Sequence, residues 1–182
     1  MPNPAVRERS MKRALIVEDA EQAPSLLQTL LEAHGWQVTC ADNGAEALVK
    51  ARHELPDLAI SDLVMPVMDG LMLLRRWRAD ERLSLVPFII CTATFTDAED
   101  ERMALALGAD EFLIKPTTPD DFISKLDAAL SRVAASTPRP PTAAGDEPEA
   151  SMKLYNHALV RKLEAKSQQL KAAYQALRLE HA

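Results

Sequence analysis

The stretch LAISDLVMPVMDG, residues 58–70, decides the fold. Its opening LAIS is a short and almost continuously apolar run, the pattern of a strand buried on both faces of a parallel sheet. The run stops at Asp62, turns through Met65-Pro66 and reaches Asp69-Gly70, where the aspartate reads as the entry to a helix. A buried strand, a carboxylate at its end and a helix entry in close succession make one unit of an α/β sheet.

Outward from this stretch the same alternation of apolar runs and amphipathic segments extends from Arg13 to Val133. The other predicted strands are Ala14–Val17, Gln37–Cys40, Phe88–Cys91 and Glu111–Ile114. Four of the five are nearly all apolar, as central parallel strands should be, whereas Gln37–Cys40 is more polar and is expected at an edge. Capping pairs open several of the intervening helices: Asn43 with Glu46, Thr96 with Glu99, and Thr118 with Pro119 next and Asp121 at the third position. The predicted architecture is α/β, a doubly wound five-stranded parallel sheet of flavodoxin-like order 2-1-3-4-5, followed by an extended C-terminal helix.

A chain of 182 residues with 47% hydrophobic and 26% charged residues suits one globular domain with a short appendage, and excludes wholesale disorder or a fibrous repeat. No apolar run approaches the roughly 18 residues needed to span a bilayer, and the opening MPNPAVRERSMKR lacks the apolar core of a signal peptide. A soluble cytoplasmic protein without membrane contact is expected. Cys40 and Cys91 lie in strand-like segments without C-x-x-C spacing, so both are expected as buried thiols rather than metal ligands or redox partners.

The net charge of -6 is unevenly divided: residues 1–150 carry 15 Lys+Arg against 25 Asp+Glu, and residues 151–182 carry 6 against 2. An acidic body disfavours direct binding to nucleic acid, whose phosphates are held chiefly by Lys and Arg. Residues 134–150, AASTPRPPTAAGDEPEA, contain four prolines and no aliphatic side chain larger than alanine, which reads as a linker. From Ser151 to Ala182 there is neither Gly nor Pro, and Leu163, Leu170 and Leu177 recur every seven residues with Val160 and Tyr174 between them. An amphipathic helix and a short coiled-coil homodimer are expected, although Asn156, Ser167 and His181 interrupt the seam. The helix reaches Ala182 without a cap or glycine, so an output domain is expected beyond it.

In a doubly wound sheet ligands bind at the carboxyl ends of the strands. Those positions hold Glu18 and Asp19 after the first strand, Asp62 after the third, Thr92 after the fourth and Lys115 after the fifth. Neighbouring carboxylates need a cation between them, and a donor set of oxygens without histidine favours Mg²⁺ over zinc or copper. Acidic groups with Mg²⁺, a lysine and a threonine hydroxyl point to phosphoryl transfer, with Asp62 as nucleophile and Glu18 and Asp19 as metal holders.

At these residues the chain resembles the receiver domain of bacterial two-component response regulators: IVED at 16–19, SDLVMPVMDG at 61–70, CTAT at 91–94 and FLIKP at 112–116. The resemblance covers about residues 12–133. It implies that Asp62 accepts a phosphoryl group from a histidine kinase or phosphotransfer protein, and that Mg²⁺ is held by Glu18, Asp19, Asp62 and the backbone carbonyl of Val64. It further implies that Thr92 and Lys115 bind the phosphoryl oxygens. Thr92 and Phe112 would form the switch that reshapes the surface made by the fourth and fifth helices and the fifth strand. Val64 and Thr94 stand where the family tunes phosphate lifetime.

The expected organisation is a flexible N-terminus over 1–11, a receiver over 12–133, a linker over 134–150 and the helix over 151–182. The leading function is a phosphorelay switch that is not a classical enzyme and acts only on its own phosphorylation and dephosphorylation. Its alternative is a constitutive dimerisation or adaptor module docked whatever its phosphorylation state. Arg75, Arg76 and Arg78 are expected on a solvated face, and Asp97, Glu99, Asp100 and Glu101 in a first helical turn whose dipole favours acids.

Overall fold

The computed structural model describes residues 11–19, 25–93, 97–115, 118–137 and 148–180. Five strands, β1 (Arg13–Val17), β2 (Gln37–Ala41), β3 (Leu58–Ser61), β4 (Phe88–Thr92) and β5 (Glu111–Ile114), alternate with helices α1 (Leu26–Ala33), α2 (Gly44–His53), α3 (Gly70–Ala79), α4 (Ala98–Ala106) and α5 (Pro119–Ala135). The sheet is parallel throughout in the order β2-β1-β3-β4-β5. Every residue of β3 and β4 is buried, whereas β2 takes the edge and leaves three of its five residues exposed. The polar sequence of β2 therefore matches a strand with one unpaired side.

On one face Ile16, Ile60, Ile89 and Leu113 pack with Leu31 of α1 and with Phe122, Leu126 and Ala129 of α5. On the other face Trp77 of α3 meets Phe88 edge to face, with ring centroids 5.4 Å apart. Helix entries follow local chemistry. Ser25 accepts from the Gln28 amide at 3.2 Å, Asn43 from the Glu46 amide at 3.0 Å and Thr118 from the Asp121 amide at 3.2 Å. Asp69 accepts from the amides of both Leu71 and Met72.

Several expectations require correction. The N-cap of α4 is Asp97, joined in a capping box to Asp100, whose carboxylate accepts from the Asp97 amide at 3.2 Å; Thr96 lies outside the described residues, as does Thr94. Asp100 lies in the first turn with Glu99 and Glu101, as expected, and is buried there. Arg78 is also buried, at 3% exposure, because it turns inward to Asp110 on the β5 side. Cys91 is buried as expected, but Cys40 is exposed, since β2 has no neighbour on its outer side.

The chain divides into two units, the first holding the sheet and α1–α5, the second holding α6 (Pro148–Glu180). Helix α6 starts three residues earlier than the sequence suggested, with Pro148 in its first turn, where a missing N–H does no harm. Residues 1–10, most of the linker and His181 lie outside the described residues. Among the described residues no helix is long and apolar enough to cross a membrane.

Candidate functional site

The register of the sheet builds the site. Val17 pairs with Ser61 across β1 and β3, so Glu18 and Asp62 leave adjacent strands at the same level. Their backbones remain tied one residue further, the Asp62 amide donating to the Val17 carbonyl at 2.9 Å. Strand β4 continues beyond that level: Ser61 is opposite Ile90, and Thr92 is opposite Ile114. The Lys115 amide donates to the Thr92 carbonyl at 2.8 Å, which fixes the start of the lysine side chain at the same rim.

Side chains alternate along a strand, so Glu18, Asp62 and Lys115 continue the face that carries Ile16, Ile60 and Leu113. Lys115 Nζ reaches back between the two carboxylates, 3.3 Å from Glu18 Oε2 and 3.8 Å from Asp62 Oδ2. A cation in that position lets two partly buried carboxylates stand on neighbouring strands. The Cys91 thiol lies beneath this cluster; burial pushes it up to about 11, with the Lys115 charge opposing and Asp62 and Glu18 reinforcing the rise.

Asp62 is held from both sides. Its Oδ1 accepts from the Leu63 amide at 2.7 Å, and its carbonyl accepts from the Ser61 hydroxyl at 2.8 Å. The β3–α3 loop folds back over it, the Gly70 amide donating to the Leu63 carbonyl at 2.9 Å. Gly70 comes so close that a Cβ there would stand 2.0 Å from the Asp62 carbonyl oxygen, which is why the loop must end in glycine. Between them Val67 has φ 66°, and the Met68 amide closes a one-residue turn onto the Pro66 carbonyl at 2.7 Å. A β-branched residue in that region is strained by roughly 1–3 kcal/mol.

The remaining expected residues are distributed around this rim. Asp19 is exposed one residue beyond Glu18, and Val64 is exposed two residues beyond Asp62. Thr92 is fully buried at the end of β4, and Phe112 is buried on β5. Ile90 pairs with Phe112 and Thr92 with Ile114, so Thr92 and Phe112 share the sheet face opposite to the lysine and carboxylates. Asp69 is a helix cap and no part of the cluster.

The donor set suits a hard cation. Among the described residues Glu18 Oε1 is buried and has no hydrogen-bond partner while its Oε2 faces Lys115, which leaves one oxygen of the carboxylate for a further ligand. Among the described residues no three His, Cys, Asp or Glu side chains converge as a ready-made cage. Mg²⁺ keeps several of its waters and needs only a few protein oxygens rather than a complete cage, so the residues present fit it. Sequence reasoning missed Arg78, whose Nε donates to the Gly108 carbonyl and whose other nitrogens reach Ser84, Val86 and Asp110. Its spacing from Leu71 and Leu74, on the apolar stripe of α3, was the available signal.

Residues 14–127 match the family described as response regulator receiver domain. The chain is 36% identical over 128 residues to the alkaline phosphatase synthesis transcriptional regulatory protein PhoP of Bacillus subtilis, covering 70% of this chain and 52% of that protein. It is 35% identical over 121 residues to the protein PilH of Pseudomonas aeruginosa, covering 66% of this chain and 99% of that protein. The chain thus spans about half the length of PhoP, and its shared part is the length of PilH. Among solved structures, the chemotaxis response regulator CheY4 of Vibrio cholerae aligns with a TM-score of 0.61 at 31% identity, over 66% of this chain and 99% of that one. The strand order and the family match agree, and the chain belongs to the response regulator receiver domains of two-component signalling.

Proposed function

We propose that the chain is a phosphorelay switch in which Asp62 is the phosphoacceptor. The observation that carries this reading is Lys115 Nζ lying between Glu18 Oε2 and Asp62 Oδ2 at the carboxyl rim of the sheet. A carboxylate oxygen of Asp62 attacks the phosphorus of a phosphohistidine on a kinase or phosphotransfer protein. The O–P bond forms as the P–N bond breaks, and the electron pair leaves with the imidazole. Glu18, Asp19, Asp62 and the Val64 carbonyl would hold Mg²⁺, which neutralises charge on the transferring oxygens. Lys115 and the Thr92 hydroxyl hold phosphoryl oxygens, the lysine exchanging a carboxylate partner for the phosphoryl group.

Thr92 and Phe112 share a sheet face, which supports their coupling as a switch that reshapes the α4–β5–α5 surface. The apolar seam of α6, formed by Val160, Leu163, Leu170, Tyr174 and Leu177, pairs with a second copy, and that pairing is the output the switch would alter. The chain acts on no substrate other than its own acyl phosphate, reads no nucleic acid directly and works in the cytoplasm.

The test is phosphorylation by a small-molecule phosphodonor with and without Mg²⁺. Mg²⁺-dependent incorporation of one phosphoryl group, abolished in Asp62→Asn with its circular dichroism unchanged, is the expected result. Incorporation into Asp62→Asn would move the acceptor elsewhere. Absence of uptake by the unaltered chain, together with no beryllofluoride response by NMR, would instead favour a constitutive adaptor.

A further inference from the structure

Val160, Leu163, Leu170, Tyr174 and Leu177 on α6 are each more than half exposed and follow one seam of the helix, broken only by Ser167 between Leu163 and Leu170. Such a row marks an interaction face. The direction of the partner helix is written in the same segment. The seam positions Val160, Leu163, Ser167, Leu170, Tyr174 and Leu177 are symmetric about the point between Gln168 and Gln169. A reversed copy therefore meets the seam layer for layer, with Val160 opposite Leu177, Leu163 opposite Tyr174 and Ser167 opposite Leu170. A copy running the same way would instead stack Ser167 on Ser167 and Tyr174 on Tyr174. Large against small fills the space between two helices better than small against small.

Charges beside the seam favour the same choice. Glu164, Lys171 and Arg178 follow the leucine positions, and Lys166 and Ala173 precede Ser167 and Tyr174; all five are exposed. In a parallel pair the residue before one layer meets the residue five places further on the other helix, which brings Lys166 to Lys171 of the second copy, twice by symmetry. In an antiparallel pair the residues after the leucines face one another, which brings Glu164 to Lys171 of the second copy, twice, and leaves Lys166 opposite Ala173. One orientation repeats a repulsion and the other repeats an attraction.

We infer that α6 pairs with the α6 of a second copy in antiparallel orientation, through the Val160–Leu177 seam and reciprocal Glu164–Lys171 contacts. This rests on the reading that α6 is the dimer helix. The N-terminal ends of the two helices, where each is joined to its own receiver, then lie at opposite ends of the pair.

Sedimentation equilibrium of the full chain and three full-length variants tests it. Glu164→Lys turns both attractions into repulsions and is expected to raise the dissociation constant roughly tenfold. Lys166→Glu is expected to leave it within about twofold, because that residue faces alanine. Glu164→Lys combined with Lys171→Glu is expected to restore the original association. Tighter pairing by Lys166→Glu with no effect of Glu164→Lys would establish a parallel pair and overturn the orientation while keeping the dimer. A dimer indifferent to all three variants would remove α6 from the interface, and a monomeric unaltered chain would remove the dimer reading as well.

Discussion

Arg78 places a charged side chain where helix α3 meets β4 and β5, and the protein gives it a full set of partners. Its guanidinium reaches the carbonyls of Gly108, Ser84 and Val86 and pairs with Asp110 at 2.7 Å, while Asp110 also accepts from the Phe88 amide. Removing the guanidinium leaves a largely buried carboxylate and several carbonyls without donors, so Arg78→Ala should lose about 3–5 kcal/mol in urea denaturation. Only a small loss would show that water replaces the guanidinium freely. The two thiols should also separate. Cys40 is exposed, with burial still raising its pKa, whereas Cys91 is buried and pushed up to about 11. Both thiols carry little thiolate at pH 8, so access separates them: Cys40 should alkylate slowly in the native protein and Cys91 only after unfolding, and peptide mapping should find the native-state label on Cys40.

At the scale of elements, the helix caps set where each helix points relative to the rim. Asp69 satisfies two amides of α3, and the next residue, Gly70, packs against the Asp62 carbonyl. Asp69→Ala should lose about 1 kcal/mol of stability by denaturant titration. It should also broaden the Leu63 amide resonance in NMR spectra, because Gly70 anchors to the Leu63 carbonyl; an unperturbed Leu63 signal would mean that the loop is held without its cap. The closeness of Gly44 has the same logic. Its amide donates to the Met68 carbonyl at 3.1 Å, and a Cβ there would meet Met68 at 2.8 Å, so the start of α2 braces the far side of the strained turn at Val67.

At the scale of the molecule, the acidic receiver and the basic helix are separate units joined by a proline-rich segment. The receiver has its own core on both faces of the sheet, and the similar PilH is little longer than this part. Removing residues 148–182 should therefore leave a folded receiver that still takes up phosphate and sediments as a monomer. Association unchanged by that deletion would assign pairing to the receiver.

The local sequence determined the order and type of the elements, because apolar periodicity and capping chemistry act within a few residues. LAIS could only be a buried strand, QVTC was recognisable as an edge, and the residues following each strand could be named as the rim. Tertiary structure decided what those residues touch. Glu18 and Lys115 are 97 residues apart, and only the sheet register brings the ammonium between two carboxylates. Arg78 is buried because Asp110, 32 residues away, awaits it, and Cys40 is exposed because β2 has one neighbour rather than two. Periodicity states which side of an element is apolar; it carries no information about which distant charge will face an inward arginine or whether an outer edge will be covered.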